Sequence, residues 1–170
     1  MRLELEKLDR DGGFAHVYRP QELSLEDPDL RLVEPVEVRG RVQRKGGEVQ
    51  VSGTLKTKVE APCARCLKPV GVPISTEFSE RFVTAVRWRS EGEHELAPED
   101  LNLALFDGEA IDLDQLVREE ILLATPVQVF CREDCKGLCP VCGSDRNVTA
   151  CGCDSQQVDS RWEKLKDLRF

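Results

Sequence analysis

Val49-Gln-Val-Ser-Gly-Thr-Leu-Lys-Thr-Lys-Val-Glu-Ala-Pro-Cys63-Ala-Arg-Cys66-Leu-Lys-Pro69 is the stretch on which the reading of the fold turns. Val49, Val51, Leu55 and Val59 fall on alternate positions with Lys56 and Lys58 between, the period-2 signature of a half-buried strand. The strand pattern runs straight into a tight polar turn that carries two thiols. Toward the N-terminus, Val33, Val36, Val38 and Val42 repeat the alternation, and Lys45-Gly46-Gly47 between the two runs predicts a hairpin turn with glycine available for positive φ. Gly53 predicts a bulge. Toward the C-terminus, Val72, Ile74, Phe78, Phe82 and Val86 continue the pattern. The expectation is an antiparallel meander with a cysteine knuckle at one hairpin tip.

The flanking sequence completes an α+β chain. Leu3 and Leu5 alternate with charges over residues 1–7, and Asp11-Gly12-Gly13 predicts a turn. Residues 19–30, with Pro20 and Pro28, predict loop and one helical turn around Glu22. A hydrophilic loop covers 89–100, Leu101, Leu103 and Leu105 alternate, and Asp107-Gly108 turns the chain. Asp112 is placed to cap a helix over 112–124, with Gln115 at the third position of a capping box. Leu113, Leu116, Val117, Ile121, Leu123 and Ala124 give it an apolar face, and Pro126 stops it. Trp162, Leu165 and Leu168 predict a short closing helix. The fold class is therefore a twisted antiparallel β-sheet or meander with one main helix and a small Cys-rich zinc lobe. The β domain with its helix spans 1–130, and the lobe and C-terminal helix span 131–170, packed on the first part.

Composition narrows the function. In 170 residues, 40% are hydrophobic, 33% charged and only 5% aromatic, so the core must be built from Val, Leu and Ile and a metal clip would offset ordering entropy. The start, Met-Arg-Leu-Glu-Leu-Glu-Lys-Leu, has no apolar leader, and no stretch is long and apolar enough for a membrane span. The expectation is a cytoplasmic protein without membrane or small-molecule partners. The net charge of −8 is polarised: residues 39–89 carry 11 basic and 4 acidic side chains, residues 90–130 carry 1 and 11. Either the two blocks pair within the fold, or they form a basic face for RNA beside an acidic face for a basic partner.

The eight cysteines carry the chemistry: Cys63, Cys66, Cys131, Cys135, Cys139, Cys142, Cys151 and Cys153. Cys63-Ala-Arg-Cys66 and Cys139-Pro-Val-Cys142-Gly143 have the form of zinc knuckles, whose turn aims backbone N–H groups at the sulfurs. The glycine after the second cysteine supplies the positive φ such a turn needs. Eight thiolates divide into two structural Zn²⁺ sites of four, with no coordination position left for a catalytic water. Closeness in sequence groups Cys139, Cys142, Cys151 and Cys153, leaving Cys63, Cys66, Cys131 and Cys135 for a site that closes a long loop. A reducing cytosol argues against disulfides. The spacing Cys135-x3-Cys139-x2-Cys142 also occurs in iron–sulfur motifs, but this chain lacks the alternating β–α pattern of the barrel that carries them.

No catalytic residue is predicted, and the chain is read as not an enzyme. It has no nucleophile elbow, P-loop or dinucleotide glycine pattern. His16 and His94 are isolated, Glu119 and Glu120 project about 100° apart on a helix, and the acidic run 91–95 lacks a Ca²⁺ ligand spacing.

Three segments together are similar to the YceD family of large ribosomal RNA subunit accumulation proteins. They are Cys63-Ala-Arg-Cys-Leu-Lys-Pro69, the acidic helix ending Glu119-Glu-Ile-Leu-Leu-Ala-Thr-Pro126, and Cys131-x3-Cys135-Lys-Gly-Leu-Cys-Pro-Val-Cys-Gly143 with Cys151-Gly-Cys153. The tail Asp159-Ser-Arg-Trp-Glu-Lys-Leu also matches, with serine where the family commonly has proline. The resemblance covers roughly 40–170 and implies a role in accumulation or processing of large-subunit ribosomal RNA, with RNA or ribosome-assembly proteins as partners. It supplies no active site. Arg39, Arg41, Arg44, Lys45, Lys56, Lys58, Arg65 and Lys68 are the candidate RNA-binding residues. The pairs two apart share one side of a strand, and the scarcity of aromatics points to backbone recognition rather than base stacking. An ordinary solvated strand face is the competing reading. The alternative function is an adaptor that docks a basic ribosomal protein or nuclease through acidic residues 91–120; an iron–sulfur or redox protein stands behind it.

Overall fold

The computed structural model describes residues 1–7, 11–90, 103–153 and 161, and divides the chain into two compact units. One holds residues 1–61 and 71–127, the other 62–70 and 128–170. The first knuckle thus groups with the C-terminal cysteines and not with the strands on either side of it.

The first unit is built on a six-stranded sheet. Strands β2 (Asp11–Tyr18), β4 (Val36–Lys45), β5 (Glu48–Pro62), β6 (Pro69–Thr84) and β7 (Leu103–Phe106) lie in that order, and the short β3 (Arg31–Leu32) pairs β5 beyond the end of β4. The β4–β5 turn is as expected: Lys45 pairs Glu48 across Gly46 and Gly47, both at positive φ, which suits the right-handed twist of the strands. The β5–β6 connection is too short for anything but an antiparallel pair. A second, two-stranded sheet pairs β1 (Arg2–Glu4) with β8 (Ala110–Asp112).

Several expectations need correction. β7 runs parallel to β6, so the sheet is mixed and is not a simple meander. The chain between them, which includes helix α1 (Ala85–Ser90), is long enough for that crossover. Val86 lies on α1, 80% exposed, and not on a strand. Asp11-Gly12-Gly13 opens β2 and makes no turn. Residues 19–30 are irregular but carry the core side chains Leu23 and Leu25. Gly53 is no bulge: it faces Gly40 in unbroken β4–β5 register. A Cβ on Gly53 would come 2.3 Å from the Arg39 carbonyl oxygen, and one on Gly40 2.5 Å from that of Ser52. The rings of Phe78 and Phe14 fill the space the two glycines leave.

Helix α2 (Leu113–Ala124) forms where the capping residue predicted it. The Asp112 carboxylate accepts from the backbone N–H of Asp114 and Gln115, and the Gln115 amide donates to Glu119 instead of closing a capping box. Leu113, Leu116, Val117 and Ile121 enter one core cluster with Val36, Val38, Val42, Val51, Leu55, Val59 and Ile111 from the sheets. Each such burial contributes about 1.5–3 kcal/mol. Leu123 is instead 81% exposed. No described helix is long and apolar enough to cross a membrane. The closing helix expected around Trp162, together with His94, Leu101 and the acidic run 91–95, lies outside the described residues.

Candidate metal centres

Two knuckles of the same construction organise the second unit. In the first, Leu67 N–H donates to the Cys63 carbonyl (2.9 Å) and Cys63 N–H to the Lys68 carbonyl (2.8 Å). In the second, Gly143 N–H donates to the Cys139 carbonyl (2.8 Å) and Cys139 N–H to the Ser144 carbonyl (2.8 Å). The residue after the second cysteine takes positive φ in both, +72° at Gly143 and +60° at Leu67. The two knuckles touch, with Leu138 N–H donating to the Arg65 carbonyl at 3.0 Å. Gly137, at φ +69°, allows that approach, because a Cβ there would lie 2.8 Å from the same oxygen.

Each knuckle belongs to a cluster of four sulfurs that all lie within 4.8 Å of one another. The first comprises Cys63, Cys66, Cys131 and Cys135, the second Cys139, Cys142, Cys151 and Cys153, as sequence proximity suggested. In the first, Cys63 Sγ is 3.9 Å from Cys135 Sγ and Cys66 Sγ is 3.7 Å from Cys131 Sγ. A tetrahedral ion with 2.3 Å bonds to sulfur requires edges of about 3.8 Å. The donor set of the first cluster therefore fits a single thiophilic ion, and the second brings four sulfurs within the same 4.8 Å. A four-iron cluster, which interposes its own irons and sulfides, holds its cysteine sulfurs farther apart.

The electrostatics favour a cation as well. The N–H groups of Cys66 and Arg65 lower Cys63 to about 6, and those of Cys142 and Val141 do the same for Cys139. Cys131 is exposed as a residue, but desolvation of its sulfur, then the neighbouring Cys135, pushes it up to about 12, and Cys142 followed by desolvation does so for Cys153. Cys135 and Cys142 are lowered as well, so each cluster pairs sulfurs that favour the thiolate with sulfurs that resist it and need compensating positive charge. Side-chain cations stand nearby: Arg146 Nη2 is 3.9 Å from Cys139 Sγ, and Lys68, raised chiefly by its hydrogen bond to Asp145, also feels Cys66 and Cys131. Cys63, Cys66 and Cys135 are buried, with Val70 and Leu138 packed against them. In the second cluster only Cys139 is buried.

The eight candidate RNA-binding residues separate into groups. Arg65 donates to the carbonyls of Glu133 (3.0 Å) and Cys135 (2.9 Å) and lies 4.7 Å over the Phe130 ring. Lys68 pairs with Asp145 and Lys58 with Glu34. Arg44 follows the inward side of β4. Arg39, Arg41 and Lys56 point to solvent from one face of the sheet, and Lys45 does so at the hairpin. Register places Arg39 between Ala15 and Thr54, Arg41 between Gly13 and Ser52, and Lys56 across from Glu37. Arg41, Ser52, Thr54, Glu77 and Ser79 rim an open depression of about 520 Å³ on that face. Sequence reasoning missed Asp145, Arg146 and Asn147, since nothing in a single polar triplet signals that it will meet a sulfur.

A two-unit protein in which a mixed sheet accompanies a lobe of paired tetracysteine clusters is the class this architecture defines. Residues 51–169 match the family model described as large ribosomal RNA subunit accumulation protein YceD, and the chain belongs to that family. It is 32% identical to the uncharacterized protein YlbN of Bacillus subtilis over 91% of this chain and 86% of that one. It is 31% identical to the uncharacterized protein Rv2926c of Mycobacterium tuberculosis over 99% and 81%. The chloroplastic large ribosomal RNA subunit accumulation protein YCED homolog 1 of Arabidopsis thaliana is 25% identical over 79% of this chain, which spans about half of that relative. No solved structure matches.

Proposed function

We propose that this chain is a non-enzymatic factor, stabilised by two structural zinc ions, that supports accumulation of large-subunit ribosomal RNA by holding RNA or a ribonucleoprotein. Cys63, Cys66, Cys131 and Cys135 hold one ion, and Cys139, Cys142, Cys151 and Cys153 the other. Four cysteine ligands to a tetrahedral ion leave no open position for substrate, so the metal supplies folding energy and not chemistry. The family's description gives the ribosomal context.

The observation that carries the RNA reading is the face of Arg39, Arg41 and Lys56. No ion pair engages these three among the described residues, whereas Lys58 and Lys68 of the same basic block are paired with acids. Around Arg41 the Ser52, Thr54 and Ser79 hydroxyls suit sugar–phosphate contact, with Glu77 the one opposing charge of that depression and no exposed aromatic there for stacking. Replacing Arg41 and Lys56 by Glu should weaken binding to every large-subunit RNA fragment tested and flatten its salt dependence. An unchanged affinity and salt slope would reject this face.

The adaptor reading has one observation in its favour. Burial first, then the charges of Glu119 and Glu120, hold Glu80 above the ordinary carboxylate range. Glu80 and Glu119 line a groove between β6, β7 and α2 with Asp107, Asp112 and the single cation Arg2, an acidic surface complementary to a basic protein segment. RNA binding that survives the Arg41 and Lys56 reversal, with loss of a co-purifying basic protein on Glu119→Lys, would transfer the function to this groove.

A further inference from the structure

The loop between Cys142 and Cys151 belongs in sequence to the second cluster, yet two of its polar side chains, Asp145 and Asn147, serve the first. Asn147 Nδ2 donates to Cys135 Sγ at 3.4 Å. Its Oδ1 accepts from Lys136 N–H at 2.9 Å and from Arg132 Nη2 at 2.7 Å, so one amide grips the Cys131–Cys135 segment through a sulfur, a backbone group and a guanidinium. Asp145 holds Asn147 in place, accepting from its backbone N–H at 2.8 Å and from its side chain at 2.7 Å, and pairs with Lys68 beside Cys66. Between them, Arg146 turns back to Cys139 and donates its N–H to the Gly137 carbonyl at 3.0 Å. Three consecutive residues thus reach both clusters.

We infer that Asn147, seated by Asp145, is a positioning residue that couples the two metal centres, so that an ion at either site raises the affinity of the other. An ion held by Cys139, Cys142, Cys151 and Cys153 anchors residues 143–150 at both ends. The anchored loop then presents the Asn147 amide to Cys135 without further ordering cost. Hydrogen bonds to metal-bound sulfurs orient ligands and tune their donor strength, and loss of such a partner commonly costs 10–100-fold in metal affinity. Thermodynamic linkage makes the effect reciprocal. The inference rests on the metal-centre reading given above.

The experiment uses the full chain, stripped of metal under reducing conditions and titrated with cobalt(II) against a competing chelator. Wild type that fails to take up two cobalt ions with tetrahedral thiolate spectra refutes the metal-centre reading itself. With that reading intact, Cys142→Ser and Asn147→Ala are each expected to lower cobalt affinity at the first site by about tenfold or more. Combined, they should cost little more than either alone, because both remove the same support. Asn147→Asp keeps the acceptor for Lys136 and loses the donors to sulfur and to the Asp145 carboxylate. In the Cys142→Ser background it should move the remaining site's sulfur-to-cobalt charge-transfer band to lower energy, a change that loss of packing alone does not produce. First-site affinity within twofold of wild type in Asn147→Ala, which retains all eight cysteines, overturns the coupling, as do losses that multiply in the double variant.

Discussion

Lys68 Nζ stands 2.7 Å from Asp145 Oδ2, joining the residue two places after the first knuckle to the residue three places after the second. Lys68 is the largest influence holding the Asp145 carboxyl down at about 2, with the Asn147 N–H next. A carboxyl lowered this way adds stability above its ordinary range and loses it only as pH falls through about 2, so the pair is at full strength near neutrality. Lys68→Met should lower the lobe's melting midpoint at pH 7 by a few degrees (about 2–4 °C), Asp145→Asn by at least as much because it also loosens Asn147, and together they should cost no more than Asp145→Asn alone. Calorimetry on the metal-loaded chain checks this, and fully additive losses would show that the two residues do not act as a pair.

Leu67 adopts φ +60°, where the equivalent position of the second knuckle is Gly143, and its side chain is 62% exposed. Leu67→Gly removes the steric cost of a side chain in the left-handed region while sacrificing little burial. It should stabilise the loaded chain by about 1 kcal/mol, and Gly143→Leu should destabilise it by a similar amount. Denaturant midpoints of the two variants should therefore move in opposite directions.

Gly40 and Gly53 face one another with no room for a methyl group between each and the neighbouring carbonyl. Gly53→Ala forces its Cβ against the Arg39 carbonyl and the Phe78 ring and should cost about 1–3 kcal/mol. Gly46→Ala meets nothing within 4 Å and should lose only the turn preference, about 1 kcal/mol. Urea unfolding that ranked these two the other way would contradict the packing described.

Glu80 is held above the usual carboxylate range by burial and by Glu119 and Glu120, so its charged form opposes folding. Because the folded value is the raised one, stability from this group is complete at acid pH and is lost as pH rises through that value. Glu80→Gln should make the first unit more stable at pH 7 and no more stable below the ordinary value of 4.5. A pH series of thermal midpoints gives the answer, and an equal gain at both ends would exclude the electrostatic cause.

Partial alkylation of the metal-loaded chain should label Cys142, Cys151 and Cys153 before Cys63, Cys66 and Cys135, because only the latter three are all buried. Peptide mapping at low reagent gives the order. Equal labelling of both sets would mean that exposure does not govern access to the sulfurs.

Local chemistry was the legible part of this chain. The Gly46-Gly47 turn, the Asp112 cap, the strand alternation around Leu55 and the division of the cysteines each depend on a few adjacent residues, and all appear in the structure. What escaped the sequence depends on partners distant along it. The parallel placement of β7, the pairing of β1 with β8 and the burial of Leu23 and Leu25 are decided by tertiary contact that no window of residues reports. Gly53 reads the same way whether a glycine breaks register or makes room for a ring, and only the facing Gly40 and the rings of Phe14 and Phe78 distinguish the two. Asn147 is the extreme case, an ordinary polar residue until the chain brings Cys135 to it.

The first cluster joins thiols on either side of a long intervening segment, and that separation sets a timetable for the protein as it is made. Cys63 and Cys66 leave the ribosome well before Cys131 and Cys135 exist. At synthesis rates of about 5–20 residues per second, the earlier pair waits for roughly 3–14 seconds without the other half of its cluster. Throughout that interval the nascent chain carries an open, oxidisable dithiol. The cluster closes only after Cys135 has followed the earlier pair out.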